Sequence, residues 1–408
     1  MHTHPSPLRL RDLPHPVVAG LISVIVNYGG TFILIFQAAR SAGLSPEQTA
    51  SWVWSVSVGV GLTGLFLSWR FREPIITAWS TPAAAFLVTT LATTPYAEAV
   101  GAYMLSAAAF VLLGLSGYFE KVIRLIPPGI ASGLLAGILL QFGIGAFGGA
   151  SVDPVLVCLL ILSYVLLKRI SARYAVVGIL GIGLLILLAQ DRIDLSGLSL
   201  TAATPVLTLP EFTLNATLSV ALPLFLITLT GQYMPGMLVL RNDGFRTSAN
   251  PIVTVTGLGS LLMAPFGSHA FNIAAITAAI ATGRESHEDR SKRWIAGLAA
   301  GAAYCVVGIF GVTLAAVFMA FPSAFITTLA GLALLGTIGG SLAGAMADPA
   351  GREAALITFL AAAANISLLG IGGAFWGLVI GLIAHAALNG RLPRRRTGTG
   401  DPARAPAE

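Results

Sequence analysis

The stretch Pro265-Phe-Gly-Ser-His-Ala-Phe-Asn-Ile-Ala-Ala-Ile-Thr277 interrupts a long apolar region. Pro265 and Gly267 break any helix at its start, Ser268, His269 and Asn272 are polar, and an apolar helical run of small and aliphatic residues is expected only from Ile273. A second stretch, Pro74-Ile-Ile-Thr-Ala-Trp-Ser-Thr-Pro-Ala-Ala-Ala85, has the same plan: a short β-prone piece, polar residues, then a small-residue helix. Two interrupted apolar segments, one in each half of a chain, are the pattern of a transporter whose site lies at the bilayer midplane.

Composition agrees with a membrane setting. Of 408 residues, 56% are hydrophobic and 10% charged, and the mean hydropathy is +0.85. A soluble domain carries about 25% charged residues. The chain therefore reads as an all-α polytopic membrane protein, its 46 glycines allowing close helix approach. Residues 1–13 lack the apolar core and small-residue cleavage site of a signal peptide. Cys158 and Cys305 both fall in expected spans, which argues against a disulfide framework or a cysteine metal site.

Hydropathy predicts fourteen spans: 16–39, 49–69, 75–93, 97–118, 125–147, 152–168, 174–190, 215–240, 248–265, 267–283, 294–319, 322–345, 352–368 and 371–389. With the N-terminus inside, 21 of the 23 Lys and Arg fall on the cytoplasmic side, all but Arg40 and Arg192. Omitting either broken segment as a crossing would spoil that asymmetry. Spans 3 and 10 are therefore expected to cross, each as a short strand plus a half-helix. The domain plan is a cytoplasmic tail 1–13, a first repeat 14–190, a periplasmic connector 191–214, a second repeat 215–390 and a basic cytoplasmic tail 391–408. Seven spans on each side of the connector place the second repeat upside down relative to the first.

All 17 Asp and Glu fall in loops or at span ends. Ionisable residues inside a membrane are functional by default, because burying charge there is expensive. His269 and His385 are the candidates, and His385 lies at the expected cytoplasmic edge. His269 is thus the proton-coupling candidate; its plainer role is a neutral imidazole bonded to backbone freed by the break. Thr81-Pro82 is a favoured helix start, and Ser268 or Asn272 is expected to cap the second half-helix. Two such N-termini facing each other, near Ser80, Thr81 and Asn272, would hold an anion without Arg or Lys; local backbone satisfaction is the alternative. Gln37 and Tyr28 in span 1, and Gln232 in span 8, are polar residues in equivalent spans and candidate substrate contacts. Interhelical hydrogen bonding would explain them equally. Tyr28, Phe36, Tyr233 and Phe271 are candidates for an aromatic wall. His287-Glu288-Asp289, in a basic loop, reads as a solvated loop with local charge pairing rather than an enzyme centre. There is no phosphate-binding loop.

The run Gly267-Ser-His-Ala-Phe-Asn-Ile-Ala-Ala-Ile-Thr-Ala-Ala-Ile-Ala-Thr-Gly-Arg-Glu-Ser-His-Glu-Asp289, continuing to Lys292-Arg293-Trp294, closely resembles the benzoate/proton symporter family. Ala78-Trp-Ser-Thr-Pro-Ala-Ala-Ala85 and Phe36-Gln-Ala-Ala39 resemble it too, and the likeness covers 14–390. It implies a secondary carrier of the bacterial inner membrane, both termini cytoplasmic, that imports benzoate with a proton. The family is distantly like nucleobase and sulfate-type carriers. By this resemblance spans 1–4 and 8–11 form a core domain, spans 5–7 and 12–14 a gate domain, and substrate sits between spans 3 and 10. Gln232 and His269 stand where nucleobase carriers often have Glu, a departure that fits an anionic substrate and leaves the proton on His269 or on the substrate itself. The expected partners are the aromatic carboxylate, a proton and membrane lipid, with a homodimer as an option. Nucleic acid, metal and cofactor are not expected, and the chain is not expected to be an enzyme. A carrier or channel for another small anion or a nucleobase-like substrate is the alternative reading.

Overall fold

The structure, a computed structural model, describes Arg9 and residues 12–171, 175–193, 200–274, 277–284, 286–364, Leu368 and 373–389. The tail 391–408, most of the N-terminal tail and part of the connector lie outside the described residues. In order, the helices before the connector are α1 Pro14–Thr31, α2 Ile33–Ser41, α3 Pro46–Phe71, α4 Thr81–Thr90, α5 Tyr96–Ser116, α6 Phe119–Leu125, α7 Pro128–Gly148, α8 Pro154–Ile170 and α9 Ala175–Ala189. After it come α10 Leu214–Ala216, α11 Leu222–Thr228, α12 Met234–Asn242, α13 Ala249–Met263, α14 Ala278–Thr282, α15 Trp294–Ile309, α16 Gly311–Met319, α17 Ser323–Ala345, α18 Arg352–Ala363 and α19 Gly373–Asn389. Two short strands, β1 Thr77–Trp79 and β2 Phe271–Ile273, lie among them.

The protein is a helical membrane protein. Among the described residues, seven helical runs are long and apolar enough to cross a membrane, including α3, α7 and the continuous run 14–41. The other expected spans coincide with shorter elements: β1 with α4, α8, α9, β2 with α14, α15 with α16, α18 and α19. Start signals in the sequence explain several boundaries. Ser45 and Gln48 form a reciprocal capping box at the head of α3. Asp153 caps α8 through Leu156 N at 3.1 Å, with Pro154 in the first turn.

Helices pack along stripes of small residues. A Cβ on Gly61 would stand 2.6 Å from Gly301 O, and one on Gly137 would stand 2.5 Å from Phe359 O. These close approaches join α3 to α15 and α7 to α18, where dispersion between tightly fitted backbones holds helices that gain nothing from expelling lipid. Packing follows two sets of partners. In one, α1 and α3 pack on α15, and α5 packs on α13. In the other, α7 packs on α17 and α18, α18 on α19, and α8 on α9.

β1 and β2 pair antiparallel, with Thr77 opposite Ile273, Ala78 opposite Asn272 and Trp79 opposite Phe271. This ribbon is buried among helices, where no water is available to satisfy its backbone. Side chains and the strands themselves do so. Ser80 N donates to Ala270 O at 3.0 Å, Ala274 N to Ile76 O at 2.8 Å and Phe271 N to Ser260 Oγ at 2.8 Å. Ile75 O accepts from Ser68 Oγ, and Phe271 O from Tyr233 Oη.

The ribbon corrects one expectation. Asn272 was expected to cap the second half-helix, with helix from Ile273. Instead it sits mid-strand, and α14 starts at Ala278 behind Thr277, which makes no side-chain cap. Pairing with 77–79 satisfies the backbone at this point, so the segment stays extended. Ser268 does not cap α14 either; its hydroxyl bonds to His269 O.

Basic loops meet at one end of the molecule. Lys292 Nζ lies 2.7 Å from Asp12 Oδ2, Arg241 Nη2 lies 2.6 Å from Glu120 Oε1, and Glu73 accepts from Arg246 N and Thr247 N. The described end of the connector, 200–213, crosses the other end without regular structure, bonded to Ser51, Ala97, Pro265 and Ile309.

Candidate functional site

The two breaks are joined by one helical line. Between α10 and α12 the chain is π-helical at Thr217–Ala221 and Leu229–Tyr233, on either side of α11. Such bulges turn side chains out of the regular helical register and are frequent at functional sites. Thr228 Oγ1 donates to Ser80 Oγ at 3.0 Å, and Asn272 Nδ2 donates to Gln232 Oε1 at 3.5 Å. Thr228 and Gln232 are four residues apart, so one face of this line touches both breaks. Small residues permit the contact. A Cβ on Gly231 would meet Pro82 at 3.4 Å, and one on Gly236 would meet Ile273 Cγ2 at 2.7 Å.

On the first break, the cap of α4 is Ser80, not Thr81. Ser80 Oγ accepts from Ala83 N at 3.4 Å, placing Thr81 and Pro82 in the first helical turn. Proline has no N–H, and Ala84 N donates to Ser80 O. Thr81 N is then the first-turn donor without a protein acceptor among the described residues. On the second break, Asn272 is fully buried. Its Nδ2 also donates to Ile273 O at 3.0 Å, and its Oδ1 has no partner. A buried acceptor left unpaired is costly and calls for a ligand or an ordered water.

His269 lies toward α3, its ring also near the Ser80 backbone. Its Nδ1 accepts from Trp52 Nε1 at 3.2 Å, and the rings meet edge to face with centroids 5.8 Å apart. Its Nε2 is buried without a partner. Phe271, two residues on, wedges against α3 and α13: a Cβ on Gly59 would stand 2.2 Å from its ring and one on Gly259 3.2 Å from it. Side chains alternate along an extended segment. His269 and Phe271 therefore face α3, while Asn272 faces Gln232. The structure joins Ser80, Thr81, Gln232 and Asn272; His269 and Phe271 lie on the α3 face of the ribbon, with the His269 ring also near the Ser80 backbone.

Of the expected aromatic wall, Tyr28 lies beside β1. Its ring packs on Trp79 at 5.1 Å and Tyr304 at 5.6 Å, and its hydroxyl donates to Ser57 Oγ at 2.5 Å. Tyr233 turns away to Phe110, Phe119 and Thr256. Gln37 is separate too, beside Arg40, Thr49 and Ile326 in a small cavity near the C-terminal end of α2, with Oε1 unpaired. Trp52, Thr228 and Tyr304 were not singled out from the sequence. A tryptophan in the middle of an apolar span, and a threonine four residues before Gln232, were the available signals.

The His287-Glu288-Asp289 group is a local turn. Asp289 N donates to His287 Nδ1, and Asp289 Oδ1 accepts from Ser291 N and Oγ. Arg293 reaches back from the same loop to Thr282 O at 2.6 Å and His287 O at 2.7 Å, closing the C-terminal end of α14. Among the described residues, no group of three or more His, Cys, Asp or Glu is placed to hold a metal.

A larger cavity, about 360 Å3, opens next to the α4 side of this site. It lies between α4, α5 and the first π-helical segment on one side and α7, α18 and α19 on the other, lined by Phe86, Thr90, Glu98, Gln141 and Ser219 among others. None of the residues expected from the sequence to bind substrate lines it.

Comparison with known proteins places this arrangement. The chain covers 93% of its length on the transmembrane domain of a cyanobacterial bicarbonate transporter, BicA, with TM-score 0.62 and 15% identity over 98% of that chain. It also matches SLC26A9, with TM-score 0.61 and 13% identity, over 94% of this chain and 66% of that one. At these identities the likeness is one of fold. Sequence relatives are nearer. The benzoate membrane transport protein of Acinetobacter baylyi is 40% identical over 371 residues, 91% of this chain and 94% of that protein. The inner membrane protein YdcO of Escherichia coli is 38% identical over 390 residues, 95% of this chain and 100% of that protein. The model of the BenE family, described as benzoate membrane transport protein, matches residues 12–387. This membrane transport protein belongs to the BenE family.

Proposed function

We propose that the protein imports benzoate or a similar aromatic carboxylate together with a proton, across the bacterial inner membrane, by alternating access. The observation that carries this reading is the meeting of Ser80, Thr81, Gln232 and Asn272 at the junction of two broken segments, with the Trp79 ring, packed on Tyr28 and Tyr304, on the other face of the same ribbon. A carboxyl group suits the first set, with Thr81 N and the Gln232 amide as donors, and an aromatic ring suits the second. Family membership and the relatives' names support the same substrate class.

The reading carries the topology with it. Fourteen crossings in two inverted repeats, both termini cytoplasmic, put the basic loop end inside and the connector outside. The two packing sets correspond to a core domain and a gate domain, and the substrate junction faces the gate through Gly231, Pro82 and Leu135. Rocking of gate against core would expose the junction to each side in turn. The proton has two carriers compatible with this site, His269 and the substrate's own carboxyl group.

Uptake of labelled benzoate into proteoliposomes under an imposed inward proton gradient tests the reading. Saturable, gradient-driven uptake that competing aromatic acids block is expected. Equal block by small inorganic anions, with no preference for a ring, would favour a general anion carrier instead.

A further inference from the structure

We infer that the proton crosses on the substrate: the carrier admits the neutral aromatic carboxylic acid, first into the 360 Å3 cavity beside α4 and then onto Asn272. This rests on the proposed substrate class and specifies its ionisation state.

The cavity is lined for a neutral guest. Its lining residues include no Arg, Lys or His, and their one carboxylate is Glu98 at the head of α5. Four of the hydroxyls on its wall have already spent their hydrogens. Thr89 and Thr90 both donate to Phe86 O, Thr93 to Thr90 O, and Ser219 to Asn215 O. Glu98 Oε2 accepts from Thr213 Oγ1 at 2.6 Å. These hydroxyls present oxygen lone pairs toward the cavity beside the Glu98 carboxyl group, while the side-chain amides of Gln141 and Asn215 add both donors and acceptors. A benzoate anion would meet no cationic side chain among the lining residues. A benzoic acid O–H would meet partners, and its ring would meet Phe86 and Ile138.

The inner junction repeats the logic. From Phe86 to Ser80 is about 9 Å along α4 at the helical rise. There Asn272 Oδ1 is a buried acceptor without a donor. A carboxylic acid fills that need: its O–H donates to Asn272 Oδ1 while its carbonyl accepts from Thr81 N or the Gln232 amide. A carboxylate has no hydrogen to offer. Among the ionisable groups near Asn272 the tyrosines are committed to other partners, and His269 is the rival carrier of the proton. Tyr233 is committed to Thr256 and Phe271, Tyr28 to Ser57, and Tyr304 accepts from Asn27, while the His269 Nδ1 accepts from Trp52 on the α3 face of the ribbon. No proton leaves the acid in transit, so its O–H bond stays intact until release into water.

The test measures initial rates in proteoliposomes at one fixed pH, with ring-substituted benzoates of similar size whose acid strengths spread over about a hundredfold. If only the neutral form binds, half-saturation in total substrate rises in proportion to acid strength, about a hundredfold across the series, because the competent fraction falls. Half-saturation independent of acid strength would place the proton on the protein and overturn the inference. Absence of saturable uptake for every member would instead sink the proposed substrate class. Two competitors give a second reading. Benzamide, neutral with a donor and an acceptor, should block uptake, and the permanently anionic benzenesulfonate should not; the reverse order would also overturn the inference.

Discussion

Thr81–Thr90 is a ten-residue helix with a serine cap and proline in its first turn, whereas its counterpart, Ala278–Thr282, has five residues and no side-chain cap. The partial charge at a helix end comes from aligned peptide dipoles and unpaired N–H groups. The first break can therefore offer a helix N-terminus. The second offers little of one, and contributes side-chain amides and strand backbone instead. Two segments with the same place in the chain thus do different chemistry. A site with a helix end on one wall and an amide acceptor on the other matches a group that both accepts and donates.

The bed under each break sharpens the contrast, and here the largest effect is expected. Both strands rest on α3, with Gly59 under Phe271 and Gly64 under Thr77. Gly59→Val would push into a ring already held between Gly59 and Gly259, leaving it nowhere to go. Overpacking typically costs about 1–3 kcal/mol, and here it would displace β2 directly. Uptake should fall below a tenth of the wild-type rate. Gly64→Ala meets the Thr77 hydroxyl at 2.6 Å, a smaller group bonded to Val60 O, and should cost less. Uptake rates of the two variants, normalised to folded protein by size-exclusion profile, decide it. Equal losses would mean that the two breaks are equally deformable.

The caps come next in size. Ser80→Ala removes the acceptor for Ala83 N and the partner of Thr228, a loss of about 1 kcal/mol for a helix cap. Half-saturation for benzoate should rise several-fold. Thr277→Ala removes no side-chain cap and should leave half-saturation unaltered. If the second substitution hurts as much as the first, α14 has an N-terminal role that its geometry does not show.

How much of this could be read from sequence differs between the two breaks for the same physical reason. Ser80-Thr81-Pro82 is a local signal, and the helix start it announced is present one residue earlier. Asn272 carries no local signal for a strand: what holds it extended is Ala78, almost two hundred residues away in sequence. The pairing of two distant short segments is tertiary, and propensity does not contain it. The same holds for His269. Its burial was legible from the apolar run around it, but the face it occupies follows from strand alternation and from Trp52, neither visible before the ribbon was. The wall of hydroxyls on α4 and the cavity beyond it depend on how α4 meets α7, which no single segment encodes.

The smallest effect concerns the ties outside the membrane. The first break enters from Glu73, which accepts from Arg246 N and Thr247 N; the second exits into the loop carrying Lys292, bonded to Asp12. The Lys292 ammonium, with help from Arg9 N, holds the Asp12 carboxyl below its usual range. A depressed carboxyl stabilises the fold above the ordinary Asp pKa of about 3.9 and loses that contribution as pH falls through the lower folded value. Asp12→Asn should therefore lower the thermal midpoint by a small, constant amount between about pH 5 and pH 8, with the gap from wild type closing only in stronger acid. A gap that already closes between about pH 8 and pH 5 would show that the Asp12 carboxylate is not what stabilises this tie.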